Sequence, residues 1–178
     1  MSTTAVTIQA ALRAALESSQ QVLEATMADV SDELANQPAP GIANSIGATY
    51  AHAVIAEDAM VNAFLQGKPP LLATTWAGRI GADRMPPREP MGAAVDEWFR
   101  TVRVDLPALR EYAKAAHANA LEFIEKADDA TLAREVDSPL GKMSAVALFA
   151  MVTLNHLNNH CGEIAALKGA AGQKGYPF

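Results

Sequence analysis

Residues 8–34 of the 178-residue chain read IQAALRAALESSQQVLEATMADVSDEL, and this stretch decides the fold class. Its apolar side chains recur every three or four residues over about eight turns, which is the period of one face of an α-helix. The apolar residues of that face are Ile8, Leu12, Leu16, Leu23, Met27, Val30 and Leu34. The pattern predicts one long amphipathic helix that ends at the breaker PAPG of residues 38–41.

A second helix and a long connection follow this breaker. Asn44 or Ser45 can cap the second helix, which the apolar spacing extends to Gly67. The pattern is lost over residues 67–92, which hold five prolines, and connections of this length in compact domains are usually functional or mobile. Trp76 in this connection is expected to anchor it to the helices, rather than to close over a site.

The rest of the chain is also predicted to be mostly helical. A third stretch runs from about residue 93 to residue 127, where Pro107 either kinks one helix or begins another that Asp105 caps. Residues 132–143 look extended and contain the turn SPLG of residues 138–141. Ser144 then caps a last helix that stops at Gly169.

These elements predict an all-α protein, a four-helix bundle with a long connection between helices 2 and 3. Alanine, the best helix former, makes up about a fifth of the residues, and aromatic residues make up only 6%. A β-sandwich or barrel needs more β-branched and aromatic content than this. We expect a single bundle domain over residues 1–169, with a short C-terminal tail over residues 170–178.

Charge and cysteine usage limit the partners and the compartment. The net charge of −6 and the pI of about 5.1 argue against binding to nucleic acid. Residues 1–5 show no signal peptide, and the longest apolar stretch, residues 145–154, is too short to span a membrane, so no membrane partner is expected. The single cysteine, Cys161, fits a reducing compartment. We predict a cytoplasmic protein.

Three histidines form the candidate chemical site. His156 and His160 stand four residues apart on the last helix, so both imidazoles can reach one metal ion from the same face. That face also carries Phe149, Val152, Ile164 and Leu167, so it is predicted to point into the bundle. His52 lies midway along the second helix. If the two helices are neighbours, three imidazoles converge in an arrangement typical of catalytic metal sites with open positions.

Two other histidine motifs do not fit these residues. A zincin needs a glutamate directly after the first histidine of the last-helix pair, and that position is Leu157. A ferritin-like di-iron site needs a glutamate three residues before a histidine on two helices, and none of the four histidines has one.

The residues around these histidines resemble the DinB-like superfamily of metal-binding bundles. The resemblance is carried by NSIGATYAH at residues 44–52, AED at 56–58 and HLNNHCGEI at 156–164, together with the helix lengths, the long connection and the turn PLG at 139–141. It implies that His52, His156 and His160 ligate a metal. That group also includes thiol-dependent isomerases and S-transferases, and its members commonly have glutamine where this chain has Glu163.

Other polar residues have weaker interpretations. Glu163 lies on the histidine face and could be a carboxylate behind a ligand, a fourth ligand, or a catalytic base acting on a bound water or thiol. Cys161 is turned away from that face and is expected to pack against a neighbour. Tyr50 and Asp58 could line a pocket by their position, although Glu57 and Asp58 together are expected to form a solvated face. His117 has no partner in the pattern and is interpreted as an ordinary helix residue.

Three classes of function remain open from the sequence. In the first, a divalent ion activates a low-molecular-weight thiol for transfer or isomerisation of a small-molecule substrate, as the resemblance implies, or activates water for hydrolysis. Zinc or nickel is favoured, with iron or manganese as further options. In the second, the ion only staples two helices of an interaction module without turnover. The third is a bundle without metal. Alanine-rich helix faces and the resemblance both favour a homodimer.

Overall fold

The computed structural model describes residues 6–87, 92–138 and 140–178, and its helices begin at side-chain caps. Ser45, Asp105 and Ser144 each accept a hydrogen bond from a backbone N–H three residues ahead, which satisfies a free donor of the first turn. The predicted caps of the second and last helices are therefore confirmed. Asp105 begins a new helix, so the chain before Pro107 is a separate helix and not half of a kinked one.

The helices, numbered in chain order, are α1 (Ile8–Met27), α2 (Asp32–Asn36), α3 (Ile46–Ala59), α4 (Ala93–Thr101), α5 (Leu106–Lys126), α6 (Asp129–Ala133), α7 (Ala145–Leu148) and α8 (Asn155–Ala170). A π-helical turn at Met60–Leu65 extends α3, and a second at Phe149–Leu154 joins α7 to α8. Two short strands, β1 (Glu135–Ser138) and β2 (Gly141–Ser144), form an antiparallel hairpin before α7.

The first predicted helix is wrong in its length, because the chain breaks between α1 and α2. Ser31 caps α2, and the last carbonyls of α1 are taken by side chains from other helices. Lys168, which is only 2% exposed, donates to the carbonyl of Thr26, and Arg110 donates to the carbonyl of Met27. Cations that satisfy the free carbonyls at a helix C-terminus stabilise the end of the helix there.

Four helical rods form the bundle, as predicted. They are α1, α3 with its π turn, α5, and the continuous rod from α7 to α8. α3 packs against α5 and α8, and α1 packs against the same two helices, so α1 and α3 lie diagonally across the bundle. Long apolar side chains of all four rods fill the centre; they include Leu16, Leu23, Val54, Val61, Leu109, Ile124, Leu148, Phe149, Leu157 and Ile164.

α3 is the most enclosed of the long helices. From Ile46 to Ala59 its side chains are buried, except for one half-exposed stripe formed by His52, Ala56 and Ala59. Helices α2, α5 and α8 cover most of the rest of its circumference. The candidate histidine of α3 therefore lies on the only stripe of this helix that solvent reaches.

The connection between helices α3 and α4 is fixed where it leaves the bundle. Asp58 accepts hydrogen bonds from the backbone N–H groups of Leu71 and Leu72. Trp76 packs against Tyr112, with ring centroids 5.8 Å apart, which agrees with its predicted role as an anchor. Residues 88–91 of the connection, including Pro90, lie outside the described residues.

The predicted extended segment, residues 132–143, is confirmed from residue 135 onwards, where the two strands of the hairpin lie. Its first two residues instead belong to α6, which Asp128 caps. Pro139 of its turn lies outside the described residues. The last helix ends at Ala170, one residue beyond the predicted stop. None of the described helices is both long enough and apolar enough to cross a membrane.

Candidate metal centre

Three imidazoles meet between α3 and α8. The Nε2 atom of His156 lies 3.0 Å from Nε2 of His52 and 3.1 Å from Nε2 of His160. One ligand atom from each residue lies within 4.8 Å of those of the other two, so the three nitrogens surround one point. The structure thus brings together the three histidines that the sequence singled out.

Helix packing and spacing create this convergence. His156 and His160 are one turn apart on α8, and α3, the helix that carries His52, packs directly along α8. The ring of Phe99, from α4, lies 4.9 Å from the ring of His52 at an interplanar angle of 60°. Phe99 therefore forms an apolar wall beside the His52 imidazole.

Burial and mutual repulsion keep two of the rings neutral. Desolvation, together with the neighbouring His160, lowers the pKa of His52 to about 4. Desolvation, followed by the charges of His160 and His52, lowers the pKa of His156 to about 3. Neutral imidazole is the form that ligates metal ions, because its deprotonated nitrogen carries the donor lone pair.

Glu163 fixes the orientation of one ring. Its Oε2 atom lies 2.9 Å from Nδ1 of His160, which is the nitrogen that faces away from the other two histidines. A hydrogen bond from Nδ1–H to this carboxylate leaves the lone pair of His160 on Nε2. Glu163 thus lies behind the ring, and not beside the three converging nitrogens.

His156 is supported differently. Its Nδ1 atom is buried and has no hydrogen-bond partner, and the same is true of Oγ1 of Thr153, one turn earlier. They are the two buried side-chain polar atoms without a partner among the described residues. Leaving such a group unpaired costs about 1–3 kcal/mol in free energy of folding, so the presence of two such atoms close together in the sequence needs an explanation.

The residues present fit a divalent ion. Three imidazole nitrogens converge on one point, two of the rings are neutral at physiological pH, and a carboxylate sets the tautomer of the third. Such nitrogen donors suit zinc, nickel, copper or iron better than magnesium or calcium, which prefer oxygen.

Cys161 does not join this site. It is buried against α1, where its sulfur lies 3.5 Å from the hydroxyl of Thr26, and burial raises the pKa of its thiol. The prediction that it packs against a neighbour is confirmed.

The interpretations of His117, Glu57 and Asp58 are wrong, because all three are buried inside the bundle. His117 donates to Glu57 from Nδ1 and to Glu24 from Nε2, at 2.5 and 3.0 Å. Asp58 accepts from the hydroxyl of Tyr112 and also holds the connection that follows α3. Neighbouring acidic residues usually indicate a solvated face, but here their partners come from other helices.

The sequence does not predict the polar cluster that α1, α3 and α5 form in the bundle. Its members are Gln20, Glu24, Tyr50, Glu57 and His117. Gln20 donates to the second oxygen of Glu57 at 2.7 Å, and Tyr50 donates to Glu24 at 2.7 Å. The only signal in the sequence is their repeated spacing, since Gln20 and Glu24, like Tyr50 and Glu57, stand one or two turns apart on helices with apolar neighbours.

Comparison with known proteins agrees with this architecture. One solved structure, described as the conserved protein of locus from Enterococcus faecalis, superimposes with a TM-score of 0.77; it is 19% identical, and the match covers 95% of this chain and 100% of that one. At this identity the likeness shows the fold alone. No curated protein matches the sequence. The family model of the DinB superfamily matches residues 15–164, so the chain belongs to the DinB superfamily.

Proposed function

We propose that the protein holds one divalent metal ion through Nε2 of His52, His156 and His160 and uses it to activate a small thiol for transfer or isomerisation. The observation that carries this proposal is the convergence of three nitrogens, with the two distances to His156 at 3.0 and 3.1 Å. Membership of the DinB superfamily supports the metal. The thiol rests on the family resemblance of the sequence.

Each residue of the candidate metal centre has a defined role in this proposal. A divalent ion at this point would supply a Lewis acid that lowers the pKa of a small thiol, or of water, towards neutrality. Imidazole ligands carry no negative charge, so these three would hold the ion without cancelling its charge. Glu163 orients His160, and Phe99 gives a substrate an apolar surface beside His52.

The geometry favours an exchangeable position over a closed structural site. A structural zinc ion usually has four protein ligands, whereas a catalytic one has three. Glu163 is the one candidate for a fourth ligand that the sequence offers, and its carboxylate is engaged by Nδ1 of His160. All three histidines are partly exposed, and the side chain of His160 is 18% exposed, so solvent reaches this side of the bundle.

Metal analysis of purified protein is the first test. We expect one zinc or nickel ion per chain, and a loss of affinity of roughly 100-fold or more in His156→Ala, because losing only a residue behind a ligand already costs about 10- to 100-fold. Asn158→Ala, at an exposed position of the same helix, is the matched control and should bind as the wild type does. Wild-type protein that binds no divalent ion would refute the metal site.

The second test separates an enzyme from a stapled bundle. The cobalt-loaded protein is titrated with 2-mercaptoethanol, and sulfur coordination is followed as a new charge-transfer absorption band in the near ultraviolet. We expect the band to appear and to be absent in His156→Ala, and we expect turnover in a screen of small thiols with electrophilic acceptors. Tight metal binding with no response to thiol and no turnover would favour a structural ion that only holds two helices together. Hydrolysis in the absence of thiol would favour a metal-dependent hydrolase.

A further inference from the structure

The two unpartnered polar atoms beside the candidate metal centre point to a further positioning residue. Thr153 is fully buried, and its hydroxyl has no hydrogen-bond partner. Nδ1 of His156 is buried one turn later and also has none. Both belong to the rod that carries two of the three imidazoles.

The tautomer of His156 decides what Nδ1 requires. A neutral imidazole carries one hydrogen, and a ring that donates its Nε2 lone pair to a metal must carry that hydrogen on Nδ1. His160 meets this requirement with Glu163. For His156 the same hydrogen would point into buried surroundings, so it needs an acceptor that is not already engaged.

Thr153 is placed to provide that acceptor. It is the third residue before His156, and side chains three residues apart lie on neighbouring positions of a helix surface. It belongs to the π turn Phe149–Leu154, which adds one residue to the rod and so changes the direction of the side chains before α8. π turns of this kind are frequent at functional sites.

We infer that the hydroxyl of Thr153 accepts the Nδ1–H of His156 when an ion is bound, directly or through one buried water, and thereby holds His156 in its ligating tautomer. This inference rests on the proposed metal site. It makes Thr153 a positioning residue, because it acts through His156 and does not touch the ion. The pairing also gives both unpartnered atoms a partner in the metal-bound protein.

Zinc affinity of two variants tests the role of the hydroxyl. Thr153→Val keeps the shape of the side chain and removes the hydroxyl, whereas Thr153→Ser keeps the hydroxyl. We expect Thr153→Val to bind zinc about 10-fold more weakly, as is typical when the partner of a ligating histidine is lost, and Thr153→Ser to stay within about twofold of the wild type. The matched control is Thr26→Val, a fully buried threonine of α1, which should keep wild-type zinc affinity.

The metal-free proteins separate positioning from folding. Because the Thr153 hydroxyl has no partner in the structure described here, Thr153→Val should have a metal-free Tm no lower than that of the wild type. A loss of zinc affinity smaller than about fivefold would overturn the inference, and so would a loss matched by a lower metal-free Tm.

A measurement on the wild type keeps the inference testable if a variant does not fold. In the zinc-loaded, ¹⁵N-labelled protein, we expect His156 to show a protonated Nδ1 whose hydrogen exchanges slowly with solvent. A ring that is protonated on Nε2, or an Nδ1 hydrogen that exchanges as fast as that of an exposed histidine, would overturn it. Wild-type protein that binds no zinc would instead remove the proposed function, and this inference with it.

Discussion

At the scale of single residues, the three imidazoles have different neighbours, and within the described part of the chain only His160 has a carboxylate, that of Glu163, beside it. Glu163 places this carboxylate 2.9 Å from Nδ1 of His160, whereas His52 has the ring of Phe99 beside it and Nδ1 of His156 has no partner. A carboxylate behind a ligating imidazole fixes its tautomer and the orientation of its ring, so His160 should be the most firmly positioned of the three ligands. The family resemblance implies a glutamine here, which would accept the same hydrogen bond without the charge.

Glu163→Gln tests whether this charge matters. The amide oxygen can still accept from His160, so we expect one metal ion per chain with an affinity about 3- to 10-fold lower, measured by competition with a chelator. Glu33→Gln, at an exposed position of α2, makes the same change in net charge and should have no effect. Loss of the ion in Glu163→Gln would mean that Glu163 is itself a ligand.

At the scale of elements, side-chain hydrogen bonds determine where helices begin and how the long connection is held. The caps at Ser45, Asp105 and Ser144 act within three residues, so they could be predicted from the sequence. The break after α1 could not, because the apolar spacing continues across it. The groups that satisfy the end of α1 are Lys168 and Arg110, which lie far away in the sequence.

Asp58 links three elements, and its removal should release the connection. Its carboxylate accepts from the backbone of Leu71 and Leu72, from the hydroxyl of Tyr112 and from the amide of Asn62. In Asp58→Asn the new amide has one acceptor oxygen in place of two and brings hydrogens towards these donors. We expect the free energy of unfolding to fall by about 2–3 kcal/mol, measured by urea denaturation.

Limited proteolysis shows whether this loss is local. Cleavage within residues 67–87 should become faster in Asp58→Asn, while the ends of the chain are cut as in the wild type. Asp137→Asn, at an exposed position of the hairpin, is the control and should leave both measurements unchanged. Equal stability of Asp58→Asn and the wild type would show that Asp58 does not hold the connection.

At the scale of the whole molecule, the bundle has a charged centre as well as an apolar one. His117 of α5 lies between Glu57 of α3 and Glu24 of α1, so one imidazole joins three of the four rods. His117 and Glu57 are buried, whereas the side chain of Glu24 is 33% exposed. Buried charged groups are costly unless they are paired, and here Gln20 and Tyr50 complete the hydrogen bonds.

Features that depend on neighbouring residues could be predicted from this sequence, whereas pairs of residues far apart along the chain could not. Apolar spacing gave the four rods, and the spacing of His156 and His160 with His52 gave the candidate site, because these patterns need only a helix period and one pair of neighbouring helices. Glu57 is separated from His117 by 60 residues and from Gln20 by 37. No local pattern records such a pairing, so the sequence does not predict that Glu57 and His117 are buried partners.

The charged centre makes stability depend on pH. Desolvation alone would lower the pKa of His117, but the charge of Glu57 and the hydrogen bonds to Glu24 and Glu57 raise it to about 9, against 6.5 for an ordinary histidine. Between these values the folded chain holds a proton that the unfolded chain has lost. The stabilisation is therefore complete below pH 6.5 and is lost as the pH rises through 9, and it amounts to about 3 kcal/mol.

His117→Gln isolates this contribution from all other titrating groups. We expect the variant to be less stable than the wild type by about 3 kcal/mol at pH 6, and the two stabilities to converge by pH 9.5, because the neutral glutamine holds no proton to lose. Urea unfolding at several pH values, with a chelator in every sample, measures both curves. Parallel curves over this range would mean that His117 stays neutral in the folded protein, and the centre of the bundle would then carry two carboxylates without a cation between them.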